Sequence, residues 1–497
     1  MARAIMFQGT ASHVGKSVLT LALARVLYQD GFKVAPFKAQ NMALNSYVTL
    51  DGGEMGRAQV AQAEACGLEP RVEMNPVLLK PSSDKGSQVI VLGKPIGHYS
   101  AKSYHSERRS MVWEVVKKAY ETLAQEFDFI VIEGAGSPAE VNLKASDIAN
   151  MKTAFLANAP VILVADIDRG GALASLVGTM ELLEPEERKM VCGFILNKFR
   201  GDLELLKPAL TFLEEKTGIP VLGVMPYIPE LLIPEEDSVS LEETFNYREK
   251  DLKIGVVWYP RISNFTDFEI FQYEPDVELI YIKTLQDFRD DFDLVILPGS
   301  KNTVADLNYL KQKGLDQKLY AYVERGKPLI GICGGLQMLG EKILDPELVE
   351  GKETEVKALG ILDTVTEFRG DKITRRTKTL VEKTDGYFFP YREEIAGYEI
   401  HHGRTFLLRE RSEVLDNTEN PLVFARGRVL GTYLHGLFDN DFFRHRLLNQ
   451  LRQEKGLEGI ENRPTSLKNL RQENYDKIAR VFRENVNLKK IYEILGI

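Results

Sequence analysis

Cysteine is scarce in this chain: three residues, Cys66, Cys192 and Cys333, stand among 497. None forms a Cys-x-x-Cys pair, and so sparse and odd a set excludes a disulfide framework or a structural zinc site and suits a reducing cytoplasm. Long apolar runs are also lacking. No stretch approaches the ~18–20 residues that a membrane-spanning helix needs. The opening MARAIMFQGT passes straight into a strand-like run, with no basic-then-apolar leader. A basic excess is absent as well: the net charge is −9 and the sequence pI about 5.6. That argues against a nucleic-acid partner. Internal repeats and low-complexity segments are not found. What remains is an ordinary globular composition, 44% hydrophobic and 27% charged. The chain is too long for a single core, since domains usually hold ~100–200 residues. The expectation is a cytoplasmic, multi-domain protein that binds neither nucleic acid nor membrane, with an oligomer possible.

Short apolar runs alternate with amphipathic stretches. Ala4–Phe7, Val34–Phe37, Phe129–Ile132, Val161–Val164, Gly193–Leu196 and Val221–Val224 read as buried strands, and Ser17–Gln29 and Ser110–Glu126 as helices. This pattern predicts an α/β fold with a largely parallel, doubly wound sheet. The pattern lapses in PELLIPEEDSVSLEETFNYREKDLK and restarts with Lys253–Trp258, Leu279–Ile282, Leu294–Leu297 and Pro328–Ile332. Residues 1–228 are therefore expected to form one α/β domain, 229–251 a linker and 252–440 a second α/β domain. Residues 441–497 read as a charged helical extension.

The first strand runs into GTASHVGKS, Gly9 to Ser17, and a helix follows. This is nearly the phosphate-binding pattern G-x-x-x-x-G-K-[ST], with Thr10 at its first position and Gly9 one place earlier. Backbone amides at a helix start can hold phosphate oxygens. Gly15 supplies the turn, Lys16 can reach the β- and γ-phosphates of ATP, and Ser17 can bind Mg2+. Glu133, after four apolar residues in FIVIEGAGSP, delivers a carboxylate from a strand end to the metal. Asp147 follows in NLKASDI and is a further candidate for the metal or for a phosphorylated intermediate. Other strand ends carry FKAQNMALNS, VADIDRGG and ILNKFRGD, and strand ends hold ligands in open α/β sheets. Asn197 and Lys198 could face adenine. Asp166 or Asp168 could face metal or substrate.

In PLIGICGGLQM a strand meets a helix at a tight turn with Cys333 at its apex and Gly331, Gly334 and Gly335 around it. Small neighbours permit the strained turn of a nucleophile elbow, and the helix N-terminus favours negative charge on the sulfur. The Gly334 amide is a natural oxyanion donor. The strand end LPGSK could supply a second amide near Gly299 or Ser300. A cysteine nucleophile needs a base, and His435 in GTYLHGLF is the first candidate, with His401 and His402 in GYEIHHG as competitors. Cys66 and Cys192 have no glycine elbow and read as packing residues. The plain alternative is a glycine-rich turn around an inert cysteine.

The elbow at Cys333 with the distant His435 resembles class I glutamine amidotransferases, most of which carry a glutamate two residues after the histidine. Here that position is Leu437, a departure shared by the branch that makes cobyric acid and cobyrinic acid a,c-diamide. The Gly9–Ser17 loop resembles the dethiobiotin synthetase-like P-loop group, whose G-T-x-x-x-x-G-K-[ST] pattern it matches. KAQNMALNS, EGAGSPAEVNL and GYEIHHG are similar to segments of the cobyric acid synthase family. The resemblance implies an N-terminal P-loop domain of dethiobiotin synthetase type and a C-terminal amidotransferase domain. It also implies an activity: ATP- and glutamine-dependent amidation of the b, d, e and g carboxylates of adenosylcobyrinic acid a,c-diamide. Glutamine would be the ammonia donor and a corrinoid the substrate. Lys38, Gln40, Asn41 and Asn45 are the substrate candidates in the motif after the second strand. Lys80, Lys85, Lys94, Arg108 and Arg109 form a basic cluster that could meet the substrate's carboxylates. The rivals are another amidotransferase of this architecture, such as the a,c-diamide synthase, and a ParA-like P-loop regulator without enzymatic activity.

Overall fold

The computed structural model describes residues 2–83, 86–100, 103–104, 109–229, 231, 250–382, 386–461 and 466–497. It divides into two compact units, one of Met1–Ala43, Gly53–Pro234 and Lys468–Ile497, the other of Leu44–Gly52 and Glu235–Leu467. Most of the expected linker, 229–251, lies outside the described residues.

The first unit is built on a six-stranded parallel sheet. From one edge its strands are Val221–Pro226, Val191–Phe199, Val161–Asp166, Arg3–Gly9, Phe129–Glu133 and Val34–Phe37. The inner strands are buried along almost their whole length. That is why they read as unbroken apolar runs: a parallel sheet is covered on both faces. The first strand lies inside the sheet, and the chain visits one side of it before crossing to the other. Such a reversal opens a crevice at the carboxyl ends of the strands, where the Gly9–Ser17 loop stands.

The expected helical extension 441–497 is divided by the structure. Helix Asp441–Glu454 belongs to the second unit and helices Leu467–Asn485 and Leu488–Leu495 essentially to the first. Tyr475, Ile478, Ala479, Phe482, Val486, Ile491 and Leu495 join the core that holds Leu19, Leu23, Val26 and Val164. Their i, i+3, i+4 spacing gives the long helix its apolar stripe. Arg25 pairs with Asp476 at 2.8 Å, and the Tyr475 hydroxyl donates to Glu64. The antiparallel meander Val77–Ser83, Gly86–Val91 and Lys94–Ser100 is an element that the apolar pattern of the sequence does not reveal.

The second unit has a seven-stranded sheet. Val277–Ile282, Leu252–Val257, Leu294–Leu297, Leu329–Ile332 and Val429–Thr432 run parallel, and Val423–Arg426 and Glu413–Val414 continue it antiparallel. A long antiparallel ribbon, Thr364–Val381 against Glu393–Leu407, stands in a separate sheet. Among the described residues no helix is long and apolar enough to cross a membrane.

Candidate functional site

Two sets of functional side chains assemble, one in each unit. In the second unit, strand Leu329–Ile332 ends at Cys333, and helix Gly334–Leu339 begins at the next residue. Cys333 has φ 52° and ψ −106°, a conformation that a non-glycine residue adopts only when its surroundings enforce it. They do. The Cys333 amide donates to the Thr432 carbonyl at 2.7 Å. A Cβ on Gly335 would stand 2.1 Å from the Leu297 carbonyl oxygen, and one on Gly331 2.7 Å from the Gly335 carbonyl. Strand and helix approach this closely only because those side chains are missing.

His435 is the histidine brought to Cys333, to which it hydrogen-bonds. Its Nδ1 meets Asp267 Oδ2 at 2.7 Å, leaving Nε2 for the sulfur, and the Gly436 amide donates to Asp267 Oδ1 at 3.0 Å. His435 and Tyr398 exchange two backbone hydrogen bonds, of 2.9 and 3.1 Å, and the Tyr398 ring stacks on the imidazole at 5.4 Å between centroids. The histidine is thus held at its ring nitrogen, its backbone and its face. Burial alone would lower its pKa. The Asp267 charge and hydrogen bond, with Cys333, overcome that and raise it to about 10, so the imidazole carries its proton at neutral pH.

Asp267 was missed in the sequence analysis. The familiar glutamate position is Leu437, and the acid comes from a turn, Phe265–Tyr273, far away in sequence. Its one sequence signal is that it is one of two carboxylates, with Glu269, set among the aromatic and aliphatic residues of ISNFTDFEIF. The competing histidines are engaged elsewhere. His401 bonds Glu399 at 3.1 Å and stacks on Tyr433, and burial lowers its pKa. His402 faces the Arg369 carbonyl, and its pKa is pushed down to about 4 by burial and by Lys301 and Lys372.

The strand Gly299–Ser300 runs beside the elbow, paired with Ile262–Ser263. The Tyr259 hydroxyl anchors it through the Pro298 carbonyl. A Cβ on Gly334 would lie 2.8 Å from the Ser300 nitrogen, whereas one on Gly299 would press on His435 Cε1 at 3.1 Å. Gly299 therefore gives the imidazole room, and the amide that stands beside Gly334 is that of Ser300. Cys66 and Cys192 are structural: burial pushes each thiol up to about 12.

In the first unit, the loop after Arg3–Gly9 leads to helix Lys16–Gln29. Gly15 precedes the helix at φ 96°, and a Cβ there would lie 2.0 Å from Asn197 Nδ2. On Gly9 a Cβ would meet Val14 at 2.6 Å and Lys16 Nζ at 2.9 Å. Lys16 Nζ donates to the Ala11 and Gly136 carbonyls at 3.0 and 3.1 Å. Thr10 receives a hydrogen bond from Ser175 at 3.3 Å. Asn197 Nδ2 donates to the Val14 carbonyl at 2.8 Å. Lys198 Nζ donates to the His13 carbonyl at 2.8 Å and pairs with Asp166 at 2.9 Å. Both residues brace the loop from the next strand end but one. Asp168 pairs with Arg200.

Glu133 is the hub of this site. Its Oε1 accepts from Ser17 Oγ at 2.8 Å and from Lys38 Nζ at 2.8 Å. Its Oε2 accepts from Gln62 at 2.6 Å and Gln59 at 3.4 Å. Both members of the Lys38–Glu133 pair are buried. Ser17 Oγ and Glu133 Oε1 give two hard oxygens at one point beside a phosphate-type loop, a donor set that fits Mg2+. Asp147 is not part of that point. Among the described residues its carboxylate accepts from Ala149 and Asn150, and burial raises its pKa against those bonds. Asn150 in turn bonds Ala135 at both backbone groups, so Asp147 supports the glycine turn after Glu133 from behind.

The motif after the second strand is split. Lys38, Gln40 and Asn41 lie in the first unit, where Gln40 receives a bond from Tyr104 and Asn41 donates to Gln59. Asn45 is buried in the segment Leu44–Gly52 of the second unit. Of the basic cluster, Lys80 is buried and paired with Glu54 at 2.7 Å, and Lys94 is exposed. Lys85 and Arg108, and the side chain of Arg109, lie outside the described residues.

Two family models match along the chain. Residues 253–443 match the model of the CobB/CobQ-like glutamine amidotransferase domain. Residues 5–240 match that of the CobQ/CobB/MinD/ParA nucleotide binding domain. The chain is 95% identical over 497 residues to a cobyric acid synthase of Carboxydothermus hydrogenoformans, covering 100% of both chains. It is 50% identical over 510 residues to one of Moorella thermoacetica, covering 100% of this chain and 98% of that one. A third, from Pelotomaculum thermopropionicum, is 51% identical over 521 residues, with 100% and 97% covered. This chain belongs to the cobyric acid synthase family.

Proposed function

We propose that this chain amidates the b, d, e and g carboxylates of adenosylcobyrinic acid a,c-diamide, using ATP and glutamine, to give adenosylcobyric acid. The observation that carries the reading is the Cys333–His435–Asp267 relay. A P-loop regulator would have no use for a nucleophile at a strained elbow with a buried, charge-supported base.

Each unit has one task. Cys333 attacks the glutamine amide carbon, and His435 gives its proton to the departing ammonia. The Gly334 and Ser300 amides face the oxyanion. Water then attacks the thioester, with His435 taking its proton, and glutamate leaves. In the first unit the Gly9–Ser17 loop holds the ATP phosphates, with Lys16 toward the γ-phosphate. Ser17 and Glu133 would hold Mg2+, which when bound offsets the phosphate charge. A carboxylate is a poor electrophile, and transfer of the γ-phosphoryl group makes it an acyl phosphate that ammonia can attack. Lys38 stands at Glu133, where a positive charge suits both the phosphate and the carboxylate that it activates.

The test is incubation with ATP, Mg2+, glutamine and adenosylcobyrinic acid a,c-diamide, with product masses read for added amides. Addition of four amides is expected. Addition of none overturns the reading, and amidation of cobyrinic acid at the a and c positions instead assigns the chain to the diamide synthase reaction.

A further inference from the structure

The two oxygens of Glu133 are held by different chemistry, all of it within the first unit. Oε1 meets the Lys38 ammonium and the Ser17 hydroxyl. Among the described residues Oε2 meets side-chain amides alone, those of Gln62 at 2.6 Å and Gln59 at 3.4 Å. Both glutamines stand on one helix, Arg57–Ala65, three residues apart and so on one face. Both side chains are buried. Ala61 and Ala65 of the same helix join the core that holds Leu19 and Leu23, which fixes the helix in place.

The Gln62 amide can stand only one way round. Its Nε2 faces two acceptors, Glu133 Oε2 and the Ser17 carbonyl at 3.4 Å. Its Oε1 is buried and has no hydrogen-bond partner among the described residues. An unmade buried acceptor carries a cost, yet turning that oxygen toward a carboxylate would be worse. Gln59 is held from behind: Asn41 Nδ2 donates to Gln59 Oε1 at 2.8 Å, which leaves the Gln59 nitrogen toward Glu133. Gly56 makes room for this bond, because a Cβ there would lie 2.5 Å from Gln59 Oε1 and 2.6 Å from Asn41 Nδ2. Asn75 closes the arrangement. Its Oδ1 receives the Gly56 amide at 3.1 Å, and its Nδ2 donates to the Lys38 carbonyl at 3.1 Å. The start of the helix and the residue that follows strand Val34–Phe37 are therefore fixed to one another.

We infer that Gln62 and Gln59, with Asn41 acting through Gln59, are positioning residues that aim Glu133 at the metal, and that Asn41 serves this carboxylate rather than the corrinoid. The inference rests on the reading of Ser17 and Glu133 as the Mg2+ ligands. Charge explains why Oε2 has supports of its own. Lys38 must give up Oε1 to a cation bound there, because two cations on one oxygen repel. Glu133 then keeps its orientation through Oε2, where neutral amides can stay. Outer hydrogen bonds of this kind commonly govern how well a carboxylate binds its metal.

Mn2+, which takes the same hard oxygen ligands, is the probe. Its affinity for the full chain with the β,γ-methylene analogue of ATP is read by electron paramagnetic resonance, alongside the affinity of the analogue itself in EDTA. Gln62→Met keeps the shape and removes the donor. It should weaken Mn2+ binding on the order of 10- to 100-fold and leave binding of the metal-free analogue near wild type. Asn41→Ala should act in the same direction by a smaller factor, and wild-type Mn2+ affinity there would strike Asn41 from the set. Should Gln62→Met fail to fold, Gln59→Met decides by the same measurement. Wild-type Mn2+ affinity in the folded glutamine variant overturns the inference. So does an equal loss of metal-free analogue binding, which would mark a merely structural role. Glu133→Gln tests the reading beneath: unchanged Mn2+ affinity in that variant overturns the metal site itself.

Discussion

Asp267 does for His435 what a glutamate two residues downstream would do from Leu437. The carboxylate binds Nδ1 and the neighbouring backbone amide at once, so it fixes both the tautomer and the ring's angle. Replacing it by asparagine keeps the shape and removes the charge that raises the histidine's pKa to about 10. In Asp267→Asn the imidazolium should lose its proton at lower pH. The alkaline limb of kcat/KM for glutamine should then move down, and the rate at neutral pH should fall on the order of 10²-fold. Ammonia-driven amidation serves as the control, since it needs no imidazolium. An unshifted limb would remove Asp267 from the relay. A second carboxylate lies close by. Asp306 accepts from Ser300 Oγ at 2.6 Å, and burial raises its pKa to about 7 against that bond and the nearby Arg261. Its folded form thus keeps a proton that the unfolded chain releases near 3.8. Stability must therefore decline as pH rises through that interval and level off above about 7. Asp306→Asn should flatten the fall in unfolding temperature between about pH 4 and 7, read by thermal melts across that range.

Strand–loop–helix elements were legible in the sequence because a parallel strand buried on both faces shows as an unbroken apolar run, as Phe129–Ile132 and Val161–Val164 do. The Gly9–Ser17 loop and the Cys333 elbow were legible for a related reason. Each is a local device, and its glycines are required by contacts a few residues away or across one strand. What local pattern cannot show is which element receives which. Asp267 approaches His435 from another turn, and nothing at residues 265–273 announces that partner. The ribbon strand Thr364–Val381 carries TRRTKT and reads as a solvated charged face, although it pairs along most of its length. Helix Leu467–Asn485 reads as part of a charged extension, and neither its apolar stripe nor its destination was drawn from the sequence. That destination makes a prediction. Phe482 is fully buried in the core beneath the nucleotide-binding sheet, so Phe482→Ala should cost about 3–5 kcal/mol. Thermal unfolding should show it as a lowered first transition, with ATP binding lost at a temperature that wild type tolerates. An unchanged melt would mean that the C-terminal helices contribute nothing to the fold of the first unit.

At the scale of the whole molecule, the proposed function divides two chemistries between two cores, with ammonia released in one and used in the other. Supplying ammonia directly should therefore separate them. On the proposed mechanism Cys333→Ala removes the atom that would bond to the glutamine carbon, and the change lies in the second unit. Glutamine-driven amidation should fall at least about 10³-fold, and ammonia-driven amidation should remain near wild type. Lys16→Ala acts on the other half. Its ammonium is held by the Ala11 and Gly136 carbonyls, and on the proposed reading it turns to the γ-phosphate when ATP binds. Loss of that charge should lower both glutamine- and ammonia-driven amidation on the order of 10²–10³-fold, because neither source of nitrogen can act on an unactivated carboxylate. The pair of variants forms a cross: one defect is rescued by ammonia and the other is not. Rescue of Lys16→Ala by ammonia would show that the loop is not where the carboxylate is activated. Failure of ammonia to rescue a folded Cys333→Ala would show that the two chemistries cannot be separated as the two cores suggest.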